Sequence, residues 1–200
     1  MAAALDFYFD FSSPYGYFAA ERIDAIAARH ARAVDWRPFL LGVVFKTTGQ
    51  TPLTEQPLRG DYARRDFARS ARLYGLPFTW PERFPIPTQA SARAFYWLDA
   101  REPEAARALA KALYRAYFGA GRDISPPAVV IDIAAGLGVD GAALATALND
   151  ADVKDRLRRS TEAAIARGVF GSPMVFVDGE PFWGADRLDQ VDRWLATGGW

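Results

Sequence analysis

Residues 6–18 read Asp6-Phe-Tyr-Phe-Asp10-Phe-Ser12-Ser13-Pro14-Tyr15-Gly16-Tyr17-Phe18. From Leu5 to Phe11 the text is aromatic and apolar, broken by Asp6 and Asp10, which predicts a buried strand. Ser13-Pro14 then predicts a helix start, a hydroxyl N-cap with proline at the first helical position. The helix is expected to run through Phe18, Ile23 and Ile26 to about His30. A strand feeding straight into a helix sets the Ser13 hydroxyl beside free backbone N–H groups, a seat suited to an anion, a thiolate included. Taken alone, Ser-Pro at a helix start is merely a cap, so the chemical reading needs support from the rest of the chain.

Working outward, Val34 to Leu41 reads as a second strand, and two strands joined by a helix are expected to be parallel. Gly42 to about Pro57 is loop-like, marked by Gly49 and Pro52. Asp61 to Tyr74 predicts a helix with Ala63, Phe67, Ala71 and Tyr74 on one face, stopped at Gly75. Its Arg65, Arg69 and Arg72 form an opposite stripe, read as a solvated face. Leu76 to Thr88 holds Pro77, Pro81, Pro85 and Pro87 and is expected to be irregular, with Trp80, Phe84 and Ile86 either plugging the core or lining a pocket. Helices follow over 91–100, 103–118, 129–135, 141–148 and 152–167. Met174 to Val177 is an apolar strand, Asp178-Gly179 a hairpin turn, Pro181 to Trp183 its partner, and 186–195 a closing helix. This order predicts an α/β protein: a thioredoxin-like fold with a large helical insertion, residues 1–42 and 150–200 forming the thioredoxin-like domain and 43–149 the inserted helical domain.

The chain has no cysteine and one histidine, His30. Disulfides, thiol redox chemistry, cysteine nucleophiles and thiolate metal sites are excluded, and no His-rich metal site is expected. His30 reads as structural, at the end of the first helix. Lys+Arg and Asp+Glu balance at 24 each, which gives no charge-based case for nucleic acid or an anionic membrane. No apolar run reaches the ~18 residues of a membrane span, and the N-terminus lacks the basic and apolar regions of a signal peptide, so a cytoplasmic protein is expected. Any reaction here runs on hydroxyls, carboxylates, basic groups or a borrowed reagent.

A second landmark is Gly168-Val-Phe-Gly171-Ser172-Pro173-Met174, which places Ser-Pro immediately before a strand. In a thioredoxin-like fold the loop there carries a cis-proline and faces the start of the first helix, and Ser172 then offers its backbone to an extended peptide. The plain alternative is an edge-strand proline at a turn. A third is Phe182-Trp183-Gly184-Ala185-Asp186-Arg187, whose N–H groups suit a carboxylate and whose Asp186 suits an ammonium, or serves as an ordinary N-cap.

The segments DFYFDFSSPYGYF (6–18), PFLLGVVFKTTGQ (38–50), YARRDFARSARLYGLPF (62–78), GVFGSPMVFV (168–177) and FWGADRL (182–188) together resemble the 2-hydroxychromene-2-carboxylate isomerase family. That family is related to the kappa-class glutathione transferases and more distantly to the DsbA-type oxidoreductases. The resemblance implies that Ser13 replaces the first cysteine, and Gly16 the second, of the oxidoreductases' Cys-Pro-x-Cys. It implies glutathione as cofactor, with Ser13 hydrogen-bonding its sulfur, Ser172 and Pro173 meeting its backbone, and Trp183, Gly184, Ala185 and Asp186 its γ-glutamyl end. It implies an aromatic small-molecule substrate lined by Phe45, Lys46 and Phe84, Lys46 taking the carboxylate unless it is only a surface lysine. The implied reaction interconverts 2-hydroxychromene-2-carboxylate and trans-o-hydroxybenzylidenepyruvate: a thiolate adds to the conjugated system, the bond rotates, and elimination returns the thiol. Relatives also suggest a homodimer.

Gln50 stands where many relatives have Asn, and Pro87 where they commonly have Asn or Ser, which bears on the substrate and leaves the thiol site intact. Three functions remain at this point: the isomerase, a kappa-like glutathione transferase acting on another electrophile, and a non-catalytic glutathione- or peptide-binding protein in which Ser13 only caps.

Overall fold

The computed structural model describes residues 3–200. At its centre is a four-stranded sheet in the order β2 (Val34–Pro38), β1 (Leu5–Phe9), β3 (Met174–Val177), β4 (Glu180–Trp183). β1 and β2 run parallel, Phe7 opposite Trp36, whereas β3 is antiparallel to β1 and to β4. This mixed sheet, followed by its helices, is the thioredoxin-like α/β arrangement expected from the sequence.

Alternation along β1 separates two faces. Leu5, Phe7 and Phe9 are fully buried in the larger core, where Phe9 packs at 5.3 Å from Trp36, 5.8 Å from Phe95 and 6.0 Å from Tyr114. Phe95 lies on α5 (Gln89–Asp99) and Tyr114 ends α6 (Pro103–Tyr114), so these helices cover that face. Tyr8 points the other way, into a smaller cluster with Phe39, Val44, Ala164 and Phe176 beneath α3 (Leu41–Thr48) and α9 (Ala151–Ala166). Four further helices are α4 (Arg59–Leu73), α7 (Pro127–Ala135), α8 (Gly141–Ala147) and α10 (Leu188–Thr197).

The structure corrects several expectations. The strands end early, β1 at Phe9 and β2 at Pro38. The first helix is two: α1 (Pro14–Ala20) and α2 (Ile23–Arg29). The break is held by tertiary contacts: Glu21 accepts two bonds from Arg115, while Arg22 reaches Asp189 and stacks 4.2 Å over Tyr74. Residues 42–57 are not all loop, since 41–48 form α3, ended by Gly49 at φ 72°. Its start has no local side-chain cap; the Asp10 carboxylate accepts the Leu41 N–H from 31 residues away. After α6 the chain makes one wider π-type turn, Arg115–Gly119. His30 caps α2 and bonds Asp192 on α10 at 2.7 Å, a structural role. No described helix is long and apolar enough to cross a membrane.

Candidate active site

Ser13 is the N-cap of α1, with Pro14 first in the helix and the Ser13 Oγ accepting the Gly16 N–H at 3.0 Å. The cis Ser172–Pro173 peptide lies across from it at the head of β3. Ser13 Oγ donates to the Ser172 carbonyl at 2.8 Å, and both residues are buried. The two Ser-Pro pairs that sequence set apart are therefore one site.

Asp10, read in the sequence only as an interruption of a strand, is what holds this site. Its carboxylate accepts from Ser12 N–H at 2.7 Å, Leu41 N–H at 2.8 Å and the Thr88 hydroxyl at 3.3 Å. Its own N–H donates to Ser172 Oγ at 3.0 Å, and its carbonyl accepts from Ser13 N–H at 3.0 Å and Tyr114 Oη at 2.8 Å. Burial pushes the Asp10 carboxyl above the ordinary carboxylate range, against the lowering pull of these bonds. The same burial raises the Tyr114 hydroxyl well above its usual value, which keeps it neutral and a donor. Neither residue announces itself locally, because each acts on partners distant in sequence.

At Gly16, which the resemblance sets in place of a second cysteine, a Cβ would lie 2.5 Å from Tyr114 Oη and 3.1 Å from Ser172 Oγ. Tyr114 thus fills the space a side chain at position 16 would need. Redox exchange through a cysteine pair is absent by sequence and blocked by packing.

Next to Ser172, the Trp183 indole lies against Gly171, where any Cβ would collide with it, and stands edge-on to Phe170 at 4.9 Å. Gly184 N–H donates to the Pro173 carbonyl at 3.0 Å and adopts φ 112°, conformational space open to glycine. Residues 185–187 form one short 3-10 turn before α10. Asp186 caps neither, so the N-cap alternative is set aside; its exposed carboxylate meets Arg187 at 3.3 Å and lies near enough to Tyr15 to help raise that hydroxyl's pKa, after burial and Asp66.

The irregular 76–88 segment closes over the opposite side. Ser12 Oγ accepts the Ile86 N–H at 3.1 Å; Ile86 is buried, while Trp80 and Phe84 are half-buried and 5.0 Å apart. Trp80 also stacks on Phe67, which packs 4.9 Å from Tyr15 on α1. Phe84 therefore belongs to an aromatic wall beside the Ser12–Ser13 loop. Phe45, half-buried, and Lys46, exposed, lie on α3; Lys46 has no ion pair among the described residues. Gln50 and Pro87 are exposed. A separate cleft of about 350 Å³ beside β2 is lined by Tyr96, Arg37, Arg156 and Arg159, but these arginines are taken up by Asp6, Asp99 and Asp155 at 2.9, 2.6 and 3.1 Å.

Comparison with known proteins follows this geometry. Residues 4–196 match the DSBA-like thioredoxin domain family. A 2-hydroxychromene-2-carboxylate isomerase of Sphingobium xenophagum is 30% identical over 98% of this chain and 99% of its own. The kappa 2 glutathione S-transferase of Caenorhabditis elegans is 28% identical over 95% of this chain and 90% of its own. A solved 2-hydroxychromene-2-carboxylate isomerase superposes with a TM-score of 0.87 at 28% identity, covering 96% of this chain and 94% of the other.

Proposed function

Because the chain belongs to the 2-hydroxychromene-2-carboxylate isomerase family of DSBA-like thioredoxin domains, we propose that it is a glutathione-dependent isomerase. Its substrate in this reading is 2-hydroxychromene-2-carboxylate, or a similar aromatic 2-oxo acid, interconverted with the trans-benzylidenepyruvate form. The observation that carries the reading is the buried Ser13 hydroxyl, poised between Gly16 N–H and the Ser172 carbonyl in a chain with no cysteine. A reaction that needs a thiol must import one.

The donor set suits glutathione. Ser13 O–H is a hydrogen-bond donor for sulfur, the Ser172 backbone suits a peptide, and the exposed Asp186 carboxylate suits an ammonium. Trp183, more than half exposed, offers an apolar face beside Gly184 and Ala185 for the γ-glutamyl arm. Bound there, glutathione would supply the thiol chemistry, a reversible addition to the substrate's conjugated double bond that lets it rotate before elimination returns the thiol. Ser13 holds the sulfur and favours its ionised form. Phe84 and Phe45 pack the aromatic ring and exclude water. Lys46 pairs with the carboxylate and steadies negative charge developing on the carbonyl oxygen. In this division residues 1–42 and 150–200 hold the cofactor, and the insertion, 43–149, holds the substrate.

The same reading places the enzyme in the cytoplasm as a homodimer, a state that sedimentation of the pure protein would test. A second reading, a kappa-like transferase, is supported by the nematode relative. Calorimetry with glutathione, followed by assays of isomerisation and of conjugation to electrophilic aromatics, separates them. Binding with isomerisation supports the proposal; conjugation alone supports the second.

A further inference from the structure

The Ser13 hydroxyl carries one proton, and that proton is committed. Its oxygen accepts from Gly16 N–H, and a carbonyl can only accept, so the 2.8 Å contact with Ser172 is donation by Ser13. A thiolate held by this hydroxyl takes the proton and leaves the buried Ser172 carbonyl without its donor. Four nearby donors are already spent: Tyr114 Oη and Ser13 N–H on the Asp10 carbonyl, Asp10 N–H on Ser172 Oγ, Gly16 N–H on Ser13. A buried acceptor left without a partner is costly, so activation of a thiol here is opposed unless a new donor arrives with it.

We propose, resting on the glutathione reading above, that the Ser172 carbonyl selects for thiols carrying a peptide N–H on the carbon next to the sulfur-bearing one. The cysteinyl N–H of glutathione replaces Ser13 O–H at the carbonyl, and the freed O–H turns to the sulfur. Backbone recognition and thiolate stabilisation are then one exchange of hydrogen bonds. A thiol of equal size without that N–H is bound but poorly ionised, because its thiolate form strands the carbonyl.

The test compares glutathione with its depsipeptide analogue, in which an ester oxygen replaces the cysteinyl amide nitrogen with little change of shape. Thiolate absorbance in the ultraviolet, titrated at saturating protein, gives each bound thiol's pKa against its free value. Calorimetry across the same pH range gives the affinities. The proposal expects the analogue to bind, with its pKa lowered by about one unit less than glutathione's, tenfold in the ionisation equilibrium. The affinity gap between the two then widens as pH rises through the thiol pKa. Equal lowering for both, or an analogue that binds too weakly to titrate, overturns the proposal. If glutathione itself does not bind, or its pKa falls as far on Ser13→Ala as on the wild type, the function proposed above fails first.

Discussion

Ser13 Oγ donates to the Ser172 carbonyl oxygen across 2.8 Å, joining two Ser-Pro pairs 159 residues apart. The bond ties the start of α1 to the head of β3, and removing the Ser13 hydroxyl strands two buried groups at once, the Gly16 N–H and the Ser172 carbonyl. Ser13→Ala is expected to lower the unfolding free energy by about 1–3 kcal/mol in urea denaturation at neutral pH. An unchanged midpoint and slope would contradict this account of the contact.

Asp10 gives a pH signature. Burial raises its folded-state pKa above the ordinary 3.8, so the folded chain keeps this proton to higher pH than the unfolded chain does. Its contribution to stability is therefore fully present below that ordinary value and is lost as pH rises through the raised one. Asp10→Asn lacks the titration. The stability of wild type relative to Asp10→Asn should fall as pH rises from about 3.8; denaturation series showing a constant or growing advantage for wild type would refute it.

Gly16→Ala forces a Cβ against Tyr114 Oη and should displace it from the Asp10 carbonyl. A loss of about 1–3 kcal/mol is expected. Tyr114→Phe removes the oxygen that collides, so adding Gly16→Ala to Tyr114→Phe should cost at least about 0.5 kcal/mol less than adding it to wild type. Additive losses would show that the collision is relieved elsewhere.

How far the sequence carries depends on where each residue's partners lie. Ser13-Pro14 and Ser172-Pro173 are readable because cap, proline and strand are contiguous, and the Met174–Val177 strand and its Asp178-Gly179 turn are local patterns. Asp10 is not readable: four of its partners, Leu41, Thr88, Tyr114 and Ser172, arrive only on folding. The same applies to α3, whose start is satisfied by that remote carboxylate instead of a local cap, and to the break at Glu21 and Arg22, which has neither glycine nor proline to mark it. Tyr114 falls inside the buried stripe of α6 and looks like one more core aromatic until its hydroxyl is followed to Asp10.

Gly171→Ala should act on cofactor binding more than on chemistry. A Cβ at 171 meets the Trp183 indole and lifts it from its seat beside Ser172. The expected result is a glutathione KM raised about tenfold with kcat changed less than twofold, the pattern of lost uniform binding. A fall confined to kcat would contradict the placing of Trp183 at the cofactor.

Lys46 is exposed on α3 without an ion pair among the described residues, free to meet a carboxylate. Lys46→Ala is expected to lower kcat/KM for the carboxylate substrate by about tenfold or more, with glutathione affinity unaltered. Turnover equal to wild type would make it a surface lysine and nothing else.

The most direct test of the central claim is the rate of chromene-carboxylate isomerisation with and without added glutathione, wild type against Ser13→Ala. The account predicts no activity without glutathione and, with it, a rate in Ser13→Ala reduced on the order of 10²-fold. Isomerisation that proceeds without glutathione, or equally well in Ser13→Ala, would contradict it.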